Sequence, residues 1–335
     1  SDDLTWPSKY DPFPGEQRRP NYVFHYPKAA DLVTEQKDYL INLVGNFEDM
    51  MNSSSFENAT TGYPSIIDIQ SFVDFFFVNE ISRNVDGYRI STFLHKDKDS
   101  NGGMIKAGPV WDFNLGFGNA DYCNGWLTSG WAYKFNDVCP QDGFSLPFWW
   151  EKLIESETFK ENTRNRWDLL RQGPLATDRI LEVYDSLSVH VEEAAGRNFN
   201  KFRILGQYVW PNKQVSFTYS EELQWTRNWI SARLNWMDTQ ISSFSTSITN
   251  PEYLSNFQIY PMPFKNKLFI DFVPLQSGSA NVQIINTLGQ TVWSQRIELF
   301  AGQHMRESLN INIPSGYYLY QINQGPGIIK SGKII

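Results

Sequence analysis

The chain has 335 residues, with 37 acidic against 29 basic residues, a net charge of −8 and a pI near 5.1. At this length, 41% hydrophobic and 16% aromatic content supports two domains, or one large domain with a small one, around substantial cores. The basic residues are scattered without a run or stripe, which argues against a nucleic-acid surface and makes polyanions poor partners.

The first residues, including WPSKYDPFPGEQRRP, read as an extended, proline-punctuated lead-in without a signal-peptide pattern. No stretch of the chain approaches the roughly 18 continuous apolar residues of a membrane span. A start at Ser1 without a methionine points to a fragment or processed form with sequence upstream. From Asp31 to Met51, residues Leu32, Leu40, Leu43, Val44, Phe47 and Met50 fall close to helical spacing and predict a packing helix. NSSSFENATTGYP then reads as a solvated loop, in which Asn52 and Asn58 match glycosylation acceptors.

The chain is organised around Asn79 to Asp121, where polar and charged residues concentrate between apolar flanks. An apolar run (Phe72, Val73, Phe75 to Val78, Ile81) predicts a buried helix that Asn84, Asp86 and Gly87 stop. Tyr88 to His95 predicts a strand, Lys96 to Gly103 a polar turn and Met104 to Trp111 a returning strand. Such a hairpin brings Asp86 and Asp112 together, and paired acids suit metal binding or acid/base work. Asp97, Asp99, Asn101 and Gly102 imitate the first half of an EF-hand loop, but Gly108 stands where the closing Glu is required, leaving a polar turn. His25, His95, His190 and His304 are too dispersed for an evident zinc site or triad, and no Gly-x-Ser-x-Gly or phosphate-loop motif occurs.

Cys123 and Cys139 lie in one Trp/Gly-rich region with a separation unsuited to a Cys-x-x-Cys site. A disulfide stapling that loop is favoured over two buried thiols. Pro147 to Arg171 and Thr177 to Phe202 are strongly helical, and Thr218 with Glu221 forms a capping box opening a long helix through Trp225, Trp229, Trp236 and Ile241. Tryptophans at this spacing read as core. SSFSTSITNPEYLSN is a linker by composition, after which short alternating strands with turn signals predict a small β-sandwich.

NVDGYR followed by GPVWDFNLGFG resembles the CotH-like kinase family (spore-coat protein H and its bacterial relatives), which carries an Asp in a short loop and, after a hairpin, a Trp-Asp motif ending in Phe-Gly. The resemblance implies that Asp86 positions or deprotonates the acceptor hydroxyl and that Asp112 holds Mg²⁺ on the phosphates of ATP. Where many members read Trp-Asp-x-Asp this chain has Asn114, an amide that can ligate Mg²⁺ but supplies no charge, and Ser91 stands where members have Asn. The family's nucleotide-gripping Lys lies in an upstream segment with no counterpart here, so the C-terminal part of a kinase domain is expected, with Glu80 as either a polar neighbour of the cofactor or a solvated helix end.

IYPMPF, VQIINTLGQTVW, IPSGYYLYQI and the final KSGKII resemble, in order, the type A C-terminal sorting domain of the type IX secretion system of Bacteroidetes-type bacteria. The expected architecture is therefore α+β and multidomain: an α-rich kinase-like lobe with a central β-hairpin (1–244), a linker (245–256) and an Ig-like antiparallel β-sandwich (257–335). The resemblances imply a secreted or outer-surface protein of a Gram-negative bacterium, handled by the type IX machinery through residues 257–335. Two functions are expected from them: a protein kinase using ATP and Mg²⁺ on a protein hydroxyl, or an inactive relative binding a glycan or cell-wall polymer.

Overall fold

The structure, a computed structural model, describes residues 4–244, 254–274, 277–324 and 327–334. The chain divides into two compact units, residues 1–160 with 181–242, and residues 161–180 with 243–335.

The first unit begins with β1 (Thr5–Pro7) and β2 (Asn21–Val23), paired antiparallel. The lead-in is fastened to α1 (Thr34–Asn52) through buried Glu48, whose carboxylate accepts from the Ser8 hydroxyl at 2.6 Å, the Lys9 amide at 2.9 Å and the Tyr22 hydroxyl at 2.8 Å. Asn58 accepts from the amides of Thr60 and Thr61, a local turn in the exposed loop that follows α1. Helix α2 (Ile69–Ser82) starts at Asp68, whose carboxylate takes the Ser71 amide at 3.1 Å. It buries Phe72, Val73, Phe76 and Phe77, as a helix apolar on most faces must.

The hairpin expected after α2 is shorter than the alternation suggests. Only β3 (Leu94–Lys96) and β4 (Ile105–Ala107) pair, with His95 opposite Lys106. Residues 85–91 instead form a tight turn, because the Asp86 carbonyl accepts from the Ile90 amide at 3.3 Å and the Ser91 amide at 3.1 Å. Tyr88 is drawn inward at φ 68, donating its hydroxyl to the Phe76 carbonyl and to Glu80, so tertiary bonding overrides strand propensity. Beyond β4, Gly108 at φ 115 and Pro109, which has no amide proton, end the pairing. The Lys96–Gly103 turn is closed by its own groups: Asp99 takes the Lys96 ammonium at 2.6 Å and Asp97 the Asn101 amide at 2.9 Å.

Short α3 (Phe135–Val138) leads to α4 (Trp149–Glu155). The single helix expected over 147–171 is two, α4 and α5 (Glu157–Arg171), because Ser156 is extended and its hydroxyl caps the new helix through the Phe159 amide at 3.1 Å. Phe72 and Phe75 of α2 meet Trp149 and Trp150 of α4 at ring-centroid distances of 6.1 and 5.8 Å. After α6 (Thr177–Lys201) comes α7 (Tyr219–Ser242), opened by the expected capping box: Thr218 Oγ1 accepts the Glu221 amide and Glu221 the Thr218 amide, each at 3.2 Å. Trp229, Leu234, Met237 and Ile241 are buried along α7.

The second unit holds α5 from Glu161 on and the strands β5 (Leu254–Tyr260), β6 (Lys267–Pro274), β7 (Gly278–Ile285), β8 (Thr291–Leu299), β9 (Met305–Asn310), β10 (Tyr318–Gln324) and β11 (Gly327–Ile334). One sheet has the order β5-β6-β9 and the other β11-β10-β7-β8, all antiparallel, which is the expected sandwich. Alternate residues form its core, among them Leu268, Ile270 and Phe272 of one sheet and Val282, Ile284 and Ile322 of the other. Of the linker expected at 245–256, residues 245–253 lie outside the described residues, and Leu254 already belongs to β5.

Candidate functional site

The site is assembled where α2 ends. Arg83 takes the left-handed conformation at φ 47 and turns the chain, while its guanidinium reaches the Asn124 carbonyl at 3.1 Å and the Gly130 carbonyl. Asn84, 1% exposed, comes next. Its side-chain oxygen accepts the Asp86 amide at 3.2 Å and its side-chain nitrogen donates to the Asp112 carbonyl at 3.1 Å, so one amide ties together the backbones of both acids. Gly87 is required here, since a Cβ would come within 2.1 Å of Asn79 Oδ1.

The Asp86 carboxylate is half-buried and accepts from Arg89 Nη2 at 2.9 Å. Arg89 also donates to Asp142 at 2.9 Å and to the Phe144 carbonyl at 3.1 Å, and lies over the Phe135 ring at 4.1 Å. Burial raises the pKa of Asp86, and the charges of Asp112 and Asp142 raise it further against the opposing pull of Arg89 and a hydrogen bond from Tyr122. The Tyr122 hydroxyl is itself pushed up to about 12, chiefly by burial and then by the Asp86 charge. Asp112 therefore lies near enough to Asp86 to perturb it. Asp112 itself is exposed, with its backbone left-handed at φ 62. Asn114 is likewise exposed, and its carbonyl accepts from the Asn119 side chain at 2.9 Å.

Glu80 is not a solvated helix end. It is 0% exposed, and its carboxylate takes the amides of Ala132 at 2.8 Å and Tyr133 at 3.0 Å, the Tyr88 hydroxyl at 3.1 Å and Arg233 Nη2 at 3.0 Å. Arg233, also fully buried, donates in addition to the carbonyls of Glu80, Thr128 and Gly130. Burial pushes Glu80 up and Arg233 down, each opposed by the charge of the other. This pair joins α2, α7 and the 128–133 loop.

That loop is stapled by the Cys123–Cys139 disulfide, with Cα atoms 5.6 Å apart, as expected. Tyr122 precedes the first cysteine, and the Asp142 amide donates to the Cys139 carbonyl at 3.0 Å. Both ends of the staple thus carry a partner of the Asp86–Arg89 pair.

Arg89, Tyr122, Asp142 and the bridging role of Asn84 are additions to the sequence reading. Asp86 and Arg89 stand three residues apart in NVDGYR, a spacing that suits an ion pair in a turn; Asp142 lies 53 residues from Arg89 and gives no local signal. Among the described residues no group of three or more His, Cys, Asp and Glu side chains is placed to hold a metal. Asp112 and Asn114 are both exposed and carry side-chain oxygens, the donor type that a hard cation accepts.

The sequence matches the family described as CotH kinase protein over residues 12–237 and the secretion system C-terminal sorting domain over residues 258–335. No curated protein matches. Among solved structures, the Pseudomonas fluorescens alkylpurine DNA glycosylase AlkC bound to DNA containing an abasic site analog aligns at 11% identity over 56% of this chain and 51% of that one, with a TM-score of 0.17 that carries no argument. The sorting domain marks the chain for export to the cell surface or the medium, and among the described residues no helix is long and apolar enough to cross a membrane. The family brings nucleotide use as its associated chemistry. With its helical first unit matched over residues 12–237 and a sandwich carrying the sorting signal, the chain belongs to the CotH kinase protein family.

Proposed function

We propose that this protein is a secreted or surface-displayed kinase of a Gram-negative bacterium that transfers the terminal phosphoryl group of ATP to a protein hydroxyl. The observation that carries this reading is the Asn84 bridge, which fixes Asp112 beside an Asp86 whose pKa is raised. Phosphoryl transfer asks a protein for positioning and charge neutralisation more than for covalent chemistry, and two differently set acids supply the protein's part. Asp86, held by Arg89 and Tyr122, orients the acceptor hydroxyl and takes its proton; a carboxylate with a raised pKa is a stronger base than an ordinary one. Asp112, exposed and with Asn114 two residues on, would hold Mg²⁺. Bound Mg²⁺ supplies charge neutralisation on the transferring group.

Glu80 enters this reading as a support: it anchors α2 to α7 and so fixes the helix from which Asn84 and Asp86 emerge. Residues 257–335 serve export through the type IX machinery. In this reading residues 1–244 form the catalytic domain. A second reading, a non-catalytic surface binding protein, draws on Asn114 and Ser91, which bring no charge to the site, Ser91 being buried. Incubating the full chain with radiolabelled ATP, Mg²⁺ and envelope proteins separates the two: label on Ser, Thr or Tyr hydroxyls supports the kinase, and nucleotide-independent retention on the envelope supports the binding protein.

A further inference from the structure

Away from the acid pair, the first unit has a concave site, a cleft of about 420 Å³ between α7 and the stapled loop. Its wall is formed by the indoles of Trp126 and Trp225, with Thr128, Lys213, Gln214 and Asn228 around them. The tryptophans expected to serve the core divide here: both Trp225 and Trp229 line the cleft, but Trp229 is buried while Trp225 stays partly exposed.

The platform is rigid. Trp225 rests on Gly118, where a Cβ would come within 2.7 Å of the indole, and Trp229 Nε1 donates to the Trp126 carbonyl at 2.8 Å. Lys213 sits with its ammonium 4.3 Å from the centre of the Trp126 ring. Among the described residues it forms no ion pair, and no carboxylate lines the cleft, although the chain carries a net charge of −8. Asn228 accepts from Gln224 at 2.9 Å through Oδ1, and among the described residues its amide nitrogen has no hydrogen-bond partner. An apolar ring face, neutral amides and one unpaired cation in an acid-free cleft suit a ring with apolar C–H faces, hydroxyls and one negative group.

We propose that this cleft binds an acidic sugar unit, stacked on Trp225, hydrogen-bonded by Asn228 and Gln214, with its anionic group on Lys213. The scattered basic residues argue against long polyanions in general, but one anionic group on one lysine needs no basic stripe. The proposal is independent of phosphoryl transfer.

The test is a titration of the full chain, read by tryptophan emission and by calorimetry, with three probes: tetragalacturonate, a sulfated heparin-type tetrasaccharide and neutral cellotetraose. Binding of either acidic probe, weakened about tenfold or more by Lys213→Gln and by Asn228→Ala, is the expected result, and the arm that binds identifies a carboxylate or a sulfate as the anionic group. Both substituted residues are exposed, so the variants keep the fold. No binding of either acidic probe, equal binding of cellotetraose, or unchanged affinity in Lys213→Gln overturns the proposal.

Discussion

The side chain of Asn84 donates to the backbone carbonyl of Asp112, 28 positions further along the chain, at 3.1 Å, while its oxygen holds the Asp86 amide. A buried amide with both ends engaged is costly to remove, because truncation leaves each backbone partner without its bond. Asn84→Ala should cost about 1–3 kcal/mol of stability. It should also weaken nucleotide binding by releasing the Asp112 loop. Asn84→Asp keeps the acceptor and loses the donor, so it should retain the turn at Asp86 yet still release Asp112. Hydrogen exchange across residues 110–114 checks this; unchanged protection there in Asn84→Asp would remove the bridge from the account.

Asp142 and Arg89 set the protonation of Asp86 in opposite directions. Asp142 raises it as a like charge and Arg89 lowers it as an opposite one. Asp142→Asn should therefore shift the acid limb of the activity profile to lower pH, and Arg89→Gln should shift it to higher pH. Both substitutions leave the charge of Asp112 in place. Rate measurements across pH with each variant give the signs; a shift of the same sign in both would contradict this electrostatic assignment.

The Glu80–Arg233 pair is fully buried, so removing one member strands the other. Glu80→Ala should destabilise the first unit by about 3–5 kcal/mol. Glu80→Gln, which keeps the shape and one of the two oxygens that accept from the Ala132 and Tyr133 amides, should cost less. Denaturant melts of the full chain, followed by tryptophan emission, measure the difference.

Cys123→Ser with Cys139→Ser opens a loop with a sequence separation of 16, which corresponds to about 3 kcal/mol of lost stability. Because Tyr122 and Asp142 flank the staple, activity should fall further than the loss of folded protein explains. Assays at a temperature where the variant remains folded make the comparison; full activity there would confine the disulfide to stability.

Much of the architecture was legible in the sequence. The apolar run over Phe72 to Ile81 gave α2, Thr218 with Glu221 gave the start of α7, and the alternation after Phe257 gave the sandwich, because each is encoded by local periodicity or capping. The break at Ser156 was hidden, since it depends on a hydroxyl that also bonds Tyr63 and Glu57 from distant sequence. Tyr88 departs from a strand for a similar reason: an aromatic in an alternating run suggests a strand, while its hydroxyl is satisfied inside, by the Phe76 carbonyl and Glu80. In the site, Asp86 and Asp112 stood out by motif. Arg89 as a bridge to Asp142, and Glu80 as the partner of Arg233 153 residues away, belong to tertiary structure alone.

The central claim is a division of labour between two acids, one for the donor and one for the acceptor. Its most direct measurement compares Mg²⁺-dependent ATP binding with phosphoryl transfer in the full chain, in Asp112→Ala and in Asp86→Ala. Asp112→Ala should abolish binding, whereas Asp86→Ala should bind ATP as the parent does and lose transfer by about 10²-fold or more. Equal loss of ATP binding in both variants, or retained transfer in Asp86→Ala, would contradict it.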